Sequence, residues 1–257
     1  ADGLALQCGG LNAQSSDAGG VSLGIVGNVG SFRGIQLSGL FAMSGWKGCE
    51  PAEIGGIQFA GGFTEAGAVS GAQIAGIFSS ASRLTGIQVA GWTVASDEVS
   101  GVQVSGLSCG ASRVAGWQLS ASVAYARSLQ GIQVSGLTNV AEDMADGGLQ
   151  LSAINLVRCG RGVQLGIVNA SEDFNGVQIG LLNIIKNGPI PVMPILNVGW
   201  NGRVDGAATV QPRELDNGKF ITTSIQIPVM AGVIGLFALL SAHGLTESTG
   251  HLFDDWF

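Results

Sequence analysis

The chain has 257 residues, of which 46% are hydrophobic and only 11% charged, with a formal charge of −7. An ordinary soluble domain is roughly a quarter charged, so this composition excludes a disordered chain and is poor in charge for a free globule. Eleven scattered Lys and Arg supply no cluster for phosphate, which excludes nucleic acid as a partner.

Glycine accounts for 43 residues, more than twice the usual share of roughly 7%, without a collagen-like Gly-X-Y period. Glycines at this density serve tight corners or close backbone stacking, because only glycine adopts positive φ without a Cβ clash. The chain starts at Ala1 with no methionine, as a mature exported chain does once its signal peptide is removed. Cys8, Cys49, Cys109 and Cys159 contain no C-x-x-C pair, which argues against the common zinc and haem-attachment patterns. Two readings stay open for them: two disulfides, or buried thiols packed as small apolar residues.

From residue 34 onward a tripeptide Gly-apolar-Gln recurs. Its glutamines are Gln36, Gln58, Gln73, Gln88, Gln103, Gln118, Gln133, Gln150, Gln164 and Gln178, at separations of 22, 15, 15, 15, 15, 15, 17, 14 and 14 residues. A degenerate copy, Gly20 to Gly24, precedes the first, and Gly3 to Ala13 reads as another. The glutamine sits between apolar residues, as in Ile87-Gln88-Val89. That alternation predicts a strand with glutamine facing out and its neighbours facing in. A further apolar residue lies two before the glycine (Phe32, Ile54, Val69, Leu84, Val99, Val114, Leu129, Phe174), on the parity of the glycine. A continuous strand cannot bury both sets, so a bend is expected near the glycine.

One short strand, one small-residue corner and one further apolar position every 14–15 residues predict an all-β solenoid with one repeat per coil, spanning residues 1–200. Equivalent side chains of stacked coils then form columns at about 4.8 Å spacing. The glutamines form an amide ladder on the outer face, and Asn139, Asn155, Asn169 and Asn183 form a second ladder at a corner. The rival architecture is an up-and-down β-barrel of the outer-membrane type, whose hairpins repeat at a similar length. The terminal Phe257 fits a barrel, but one Tyr and scattered Trp and Phe do not make its aromatic girdles.

The best-formed units, Gly162-Val163-Gln164-Leu165-Gly166-Ile167-Val168-Asn169 and Gly176-Val177-Gln178-Ile179-Gly180-Leu181-Leu182-Asn183, resemble the bacterial surface-repeat family with Gly-Val-Gln-Ile-Gly-Leu-x-Asn copies. Lys186 to Asn197 resembles the segment that closes such arrays. The resemblance covers about residues 20 to 200; upstream, Ser or Ala commonly replaces the second glycine and an extra residue shifts the Asn. It implies an exported, surface-associated protein at the cell surface, periplasm or outer membrane, without a catalytic role to transfer.

Pro189, Pro191 and Pro194 cannot donate ladder hydrogen bonds, so regular pairing is expected to stop near Asn187-Gly188. Residues 201–219 form a polar connector, and 220–257 an apolar C-terminal segment. No charge occurs from Ile221 to Ala242, a length that just reaches across a bilayer as helix. Pro228 leaves about fourteen residues for a helix, however, which suits a cap or a docked helix better than a span. Val233, Ile234, Leu236, Phe237, Leu239 and Leu240 are the residues expected to contact a partner or membrane. In the tail, Phe253, Trp256 and Phe257 beside acids read as a docking peptide.

His243 and His251 are the only histidines, so the repeat body carries no histidine-based catalysis. Asp97-Glu98, Glu142-Asp143 and Glu172-Asp173 fall at loop positions and read as solvated acids rather than a glycosidase pair. Neither the calcium-roll pattern Gly-Gly-x-Gly-x-Asp nor a phosphate loop occurs, and no metal or cofactor is expected. The chain thus reads as a non-catalytic rod that joins other protein subunits of a surface or membrane assembly. The alternatives are an outer-membrane channel and, less favoured, a carbohydrate-acting β-helix enzyme.

Overall fold

The computed structural model describes residues 5–14, 18–44 and 53–200, all within the first of the chain's two contact units, Ala1–Thr209. Thirteen strands follow in chain order: β1 (Ala5–Gln14), β2 (Ala18–Val29), β3 (Phe32–Ser44), β4 (Glu53–Ala60), β5 (Phe63–Ala75), β6 (Phe78–Ala90) and β7 (Thr93–Ser105). They continue with β8 (Ser108–Ser120), β9 (Val123–Ser135), β10 (Thr138–Leu151), β11 (Ile154–Leu165), β12 (Val168–Ile185) and β13 (Val192–Gly199).

From β1 to β12 each strand pairs in parallel with the next. The register places Gly71 on Gly86 and Gln73 on Gln88, then Gly86 on Gly101 and Gln88 on Gln103. The fold is therefore a β-solenoid of about ten turns with coils about 15 residues apart. An up-and-down barrel is overturned, because its consecutive strands run antiparallel and these do not.

Each coil changes face at two corners. Pairing skips Gly67 and its equivalent Ser82, and a second corner follows the buried Ala75 at Gly76-Ile77. In β5 the buried side chains are Thr64 and Ala66 before Gly67, then Val69, Gln73 and Ala75 after it. The switch of parity thus lies four residues before the motif glycine, not at it. Val69, Gly71 and Gln73 share one inward parity, and Ala72 and Ile74 take the other. The expected assignment is reversed: glutamine faces in, and its apolar neighbours face out.

The motif glycine does redirect the chain, with φ of +155° at Gly101, a region closed to side-chain-bearing residues. A Cβ built there would lie 2.0 Å from the carbonyl oxygen of Gly86 in the coil before it, so backbone stacking leaves it no room.

The interior is narrow and divided by the glutamines. One side holds Ile54, Val69, Leu84, Val99, Val114, Leu129 and Phe174 with small residues such as Ala81 and Ala111. The other holds Ala75, Ala90, Val94, Cys109 and Ala124. A lumen filled by one medium side chain and several alanines per coil cannot also accept two β-branched columns without overpacking.

Departures from the 15-residue period fall at corners. The 17-residue interval before Gln150 is a bulge between Met144 and Gly148, and the 14-residue coils carry one residue fewer between glutamine and the next strand. The excess in the 22-residue interval falls around residues 45–52, outside the described residues. Parallel stacking ends with β12, as the prolines predict. After Pro189 and Pro191, β13 turns back antiparallel on β12, with Pro194 inside it at the shift in register between Gly180 and Asn183, a reversal the sequence did not reveal.

Candidate interaction surface

The buried column comes first, because it fixes what faces outward. Gln36, Gln58, Gln73, Gln88, Gln103, Gln118, Gln133, Gln150, Gln164 and Gln178 are all fully buried. From Gln58 onward each Nε2 donates to the Oε1 of the preceding glutamine at 2.7–3.1 Å. The second Nε2 proton reaches a backbone carbonyl of the same coil at several rungs: Ser80 for Gln73, Tyr125 for Gln118, Val140 for Gln133 and Ile184 for Gln178. A carbonyl can only accept, so these contacts fix the amide orientation and align every rung alike. A stacked amide column satisfies itself from rung to rung, which removes the main cost of burying amides. That is why the outer-face expectation for the ladder fails.

The column is unsatisfied at its ends, where Gln36 Nε2 and Gln178 Oε1 have no hydrogen-bond partner. A second column, also fully buried, runs the other way: Asn139 Nδ2 donates to Asn155, Asn155 to Asn169 and Asn169 to Asn183, at 2.8–3.1 Å. The two amide columns thus oppose their dipoles within one lumen.

Outside, the residues flanking each glutamine form two parallel columns. Ile35, Ile57, Ala72, Ile87, Val102, Trp117, Ile132, Leu149, Val163 and Val177 stand on one side. Leu37, Phe59, Ile74, Val89, Val104, Leu119, Val134, Leu151, Leu165 and Ile179 stand on the other. Ile87 is 49% exposed and Trp117 53%. A third column borders them at the corner, with Ile77, Trp92 (51% exposed), Leu137 and Ile167 among its members. These positions carry no charged residue over ten coils. The sequence held the signal for this face, since the glutamine shares parity with both the glycine and the apolar residue before it, but alternation alone pointed the other way.

The acid pairs lie at the corner that switches parity, and neighbouring coils supply the opposite charge. Glu98 is reached by both Arg83 and Arg113, Glu142 by Arg127 at 3.7 Å, Asp143 by Arg158 at 3.0 Å and Glu172 by Lys186 at 3.9 Å. Tyr125 also donates to Glu142 at 2.7 Å. Asp97 is the exception: it is buried, neither carboxylate oxygen has a hydrogen-bond partner, and desolvation raises its pKa against the pull of Arg113. Cys8, Cys109 and Cys159 are free thiols, and Cys49 lies outside the described residues. Burial pushes the Cys109 thiol up to about 12.

Among the described residues no group of His, Cys, Asp and Glu is placed to hold a metal ion, and no helix is long and apolar enough to cross a membrane. Val233, Ile234, Leu236, Phe237, Leu239, Leu240, Phe253, Trp256 and Phe257 lie outside the described residues, as do both histidines, the connector 201–219 and segment 220–257. Comparison with models of known families, with curated proteins and with solved structures finds no match.

Proposed function

We propose that this protein is a non-catalytic structural rod, exported to the cell surface, periplasm or outer membrane, that joins other protein subunits in an assembly. The observation that carries this reading is the charge-free apolar face outside the glutamine ladder. Contiguous exposed apolar patches beyond a few hundred Å² are uncommon on monomeric soluble proteins and mark interaction surfaces. The acids that a carbohydrate-acting enzyme would need are instead largely engaged in ion pairs between coils. Export is supported by the resemblance of residues 162–183 to surface-repeat units.

In this reading the apolar segment 220–257 is a second attachment point. Deleting residues 220–257 is expected to release the chain from the envelope fraction of the producing cell while leaving its β-type circular dichroism unchanged. Undiminished retention of the truncated chain contradicts the attachment role.

A further inference from the structure

We propose that the occupant of the apolar face is a second copy of this chain, packed face to face with the two solenoid axes antiparallel; this rests on the function proposed above. A two-fold axis parallel to the strands keeps each column over its own counterpart and reverses the order of coils. The stretch free of register shifts runs from the coil of Ile57 to that of Ile132 in 15-residue steps. Its centre lies between Ile87 and Val102.

An axis at that centre makes the face self-complementary. Along the column before the glutamines, the smallest residue is Ala72 and the largest Trp117, and the axis sets Trp117 over the partner's Ala72. In the bordering corner column Ile77 meets the partner's Ser122 and Leu137 meets the partner's Gly62, again bulky against small, while Trp92 meets the partner's Leu107 beside the axis as a central apolar contact. Sliding the partner by one coil puts Trp117 over its Ile57 or Ile87, and the match is lost.

The area is adequate. Eight coils, from Ile35 to Leu149, extend roughly 34 Å at the inter-strand spacing, and the three columns span about 17 Å, on the order of 600 Å² of projected area. Side-chain relief adds to that, and specific interfaces bury about 600–1,000 Å² a side. Two flat strand faces with aligned strands also pack at the usual sheet-to-sheet distance of about 10 Å. A lipid surface is the weaker candidate, because the chain carries a net charge of −7 and Arg83, Arg113, Arg127 and Arg158 on these coils are paired with acids rather than left to hold anionic headgroups.

The test is sedimentation velocity on the full chain, with vesicle flotation alongside. The wild-type protein should run at twice its 26.0 kDa mass. Ile87→Lys should abolish the dimer, while Trp117→Ala and Ala72→Trp should each weaken it at least tenfold. The double exchange Trp117→Ala with Ala72→Trp should recover most of that loss, and β-type circular dichroism checks that each variant folds. A monomeric wild type, a dimer indifferent to Ile87→Lys, or a double exchange no tighter than the weaker single variant overturns the proposal. If a monomeric chain floats with phosphatidylcholine vesicles and Ile87→Lys prevents this, the face is an attachment surface but its occupant is lipid. A monomer that does not float removes support from the apolar face in both readings.

Discussion

At the level of single residues, the amide column works because each glutamine finds the same atom one coil away, and its weak points are where that repetition stops. Ser22 occupies the ladder position above Gln36 and aligns in turn with Gln7, but its side chain is too short to continue the column. Gln36 Nε2 is left buried without a partner, a situation that typically costs about 1–3 kcal/mol. Ser22→Gln is therefore expected to raise stability by about 1 kcal/mol in urea unfolding; a loss of stability contradicts the rule that each rung needs its neighbour. Asp97 gives a pH signature. Its pKa is raised in the folded state by desolvation, so the folded protein holds the proton more tightly, and stability falls as pH climbs from the ordinary aspartate value of 3.8 through the raised folded value. Asp97→Asn should be the more stable protein at neutral pH, with the difference vanishing below about pH 3.8. Equal stability at neutral pH shows that the buried carboxylate costs nothing.

At the level of the coil, spacing was legible and facing was not. The recurring Gly-x-Gln gave the period, the parallel stacking and the place where the prolines end it. Alternation in Ile-Gln-Val suggested polar out and apolar in, the rule for a strand with one face in water. It fails because a stacked amide satisfies its neighbour, so polarity no longer decides which face is buried. Lumen volume decides instead: Val69, Gln73 and Ala75 fit inside a coil where Ile87 and Val89 side by side do not. The antiparallel return of β13 was hidden for a different reason, since nothing local in Val192 to Gly199 encodes its direction. The irregular coil at β10 offers a check. Its two surplus residues lie between Met144 and Gly148, where Gly147 has φ of +80° and no heavy atom near the position of a Cβ. Removing Asp146 and Gly147 restores the 15-residue interval and is expected to change stability by less than about 1 kcal/mol, because the bulge is exposed and carries no core contact. Loss of cooperative unfolding in that deletion shows instead that the bulge sets the register of the coils after it.

At the level of the whole array, stability is a sum of coil interfaces rather than one central core, and the ladder of buried amides is what all the interfaces share. The same inward turn of the glutamines releases the apolar residues to the surface, so the interaction face and the interior column are two consequences of one choice of parity. The direct test is hydrogen exchange of the glutamine side-chain amides, followed by nuclear magnetic resonance on the ¹⁵N-labelled chain, with the exposed Gln130 as internal reference. The Nε2 protons of the ladder from Gln58 to Gln164 should persist long after those of Gln130 have exchanged. Ladder amides that exchange as fast as Gln130 contradict a buried column and, with it, the outward apolar face.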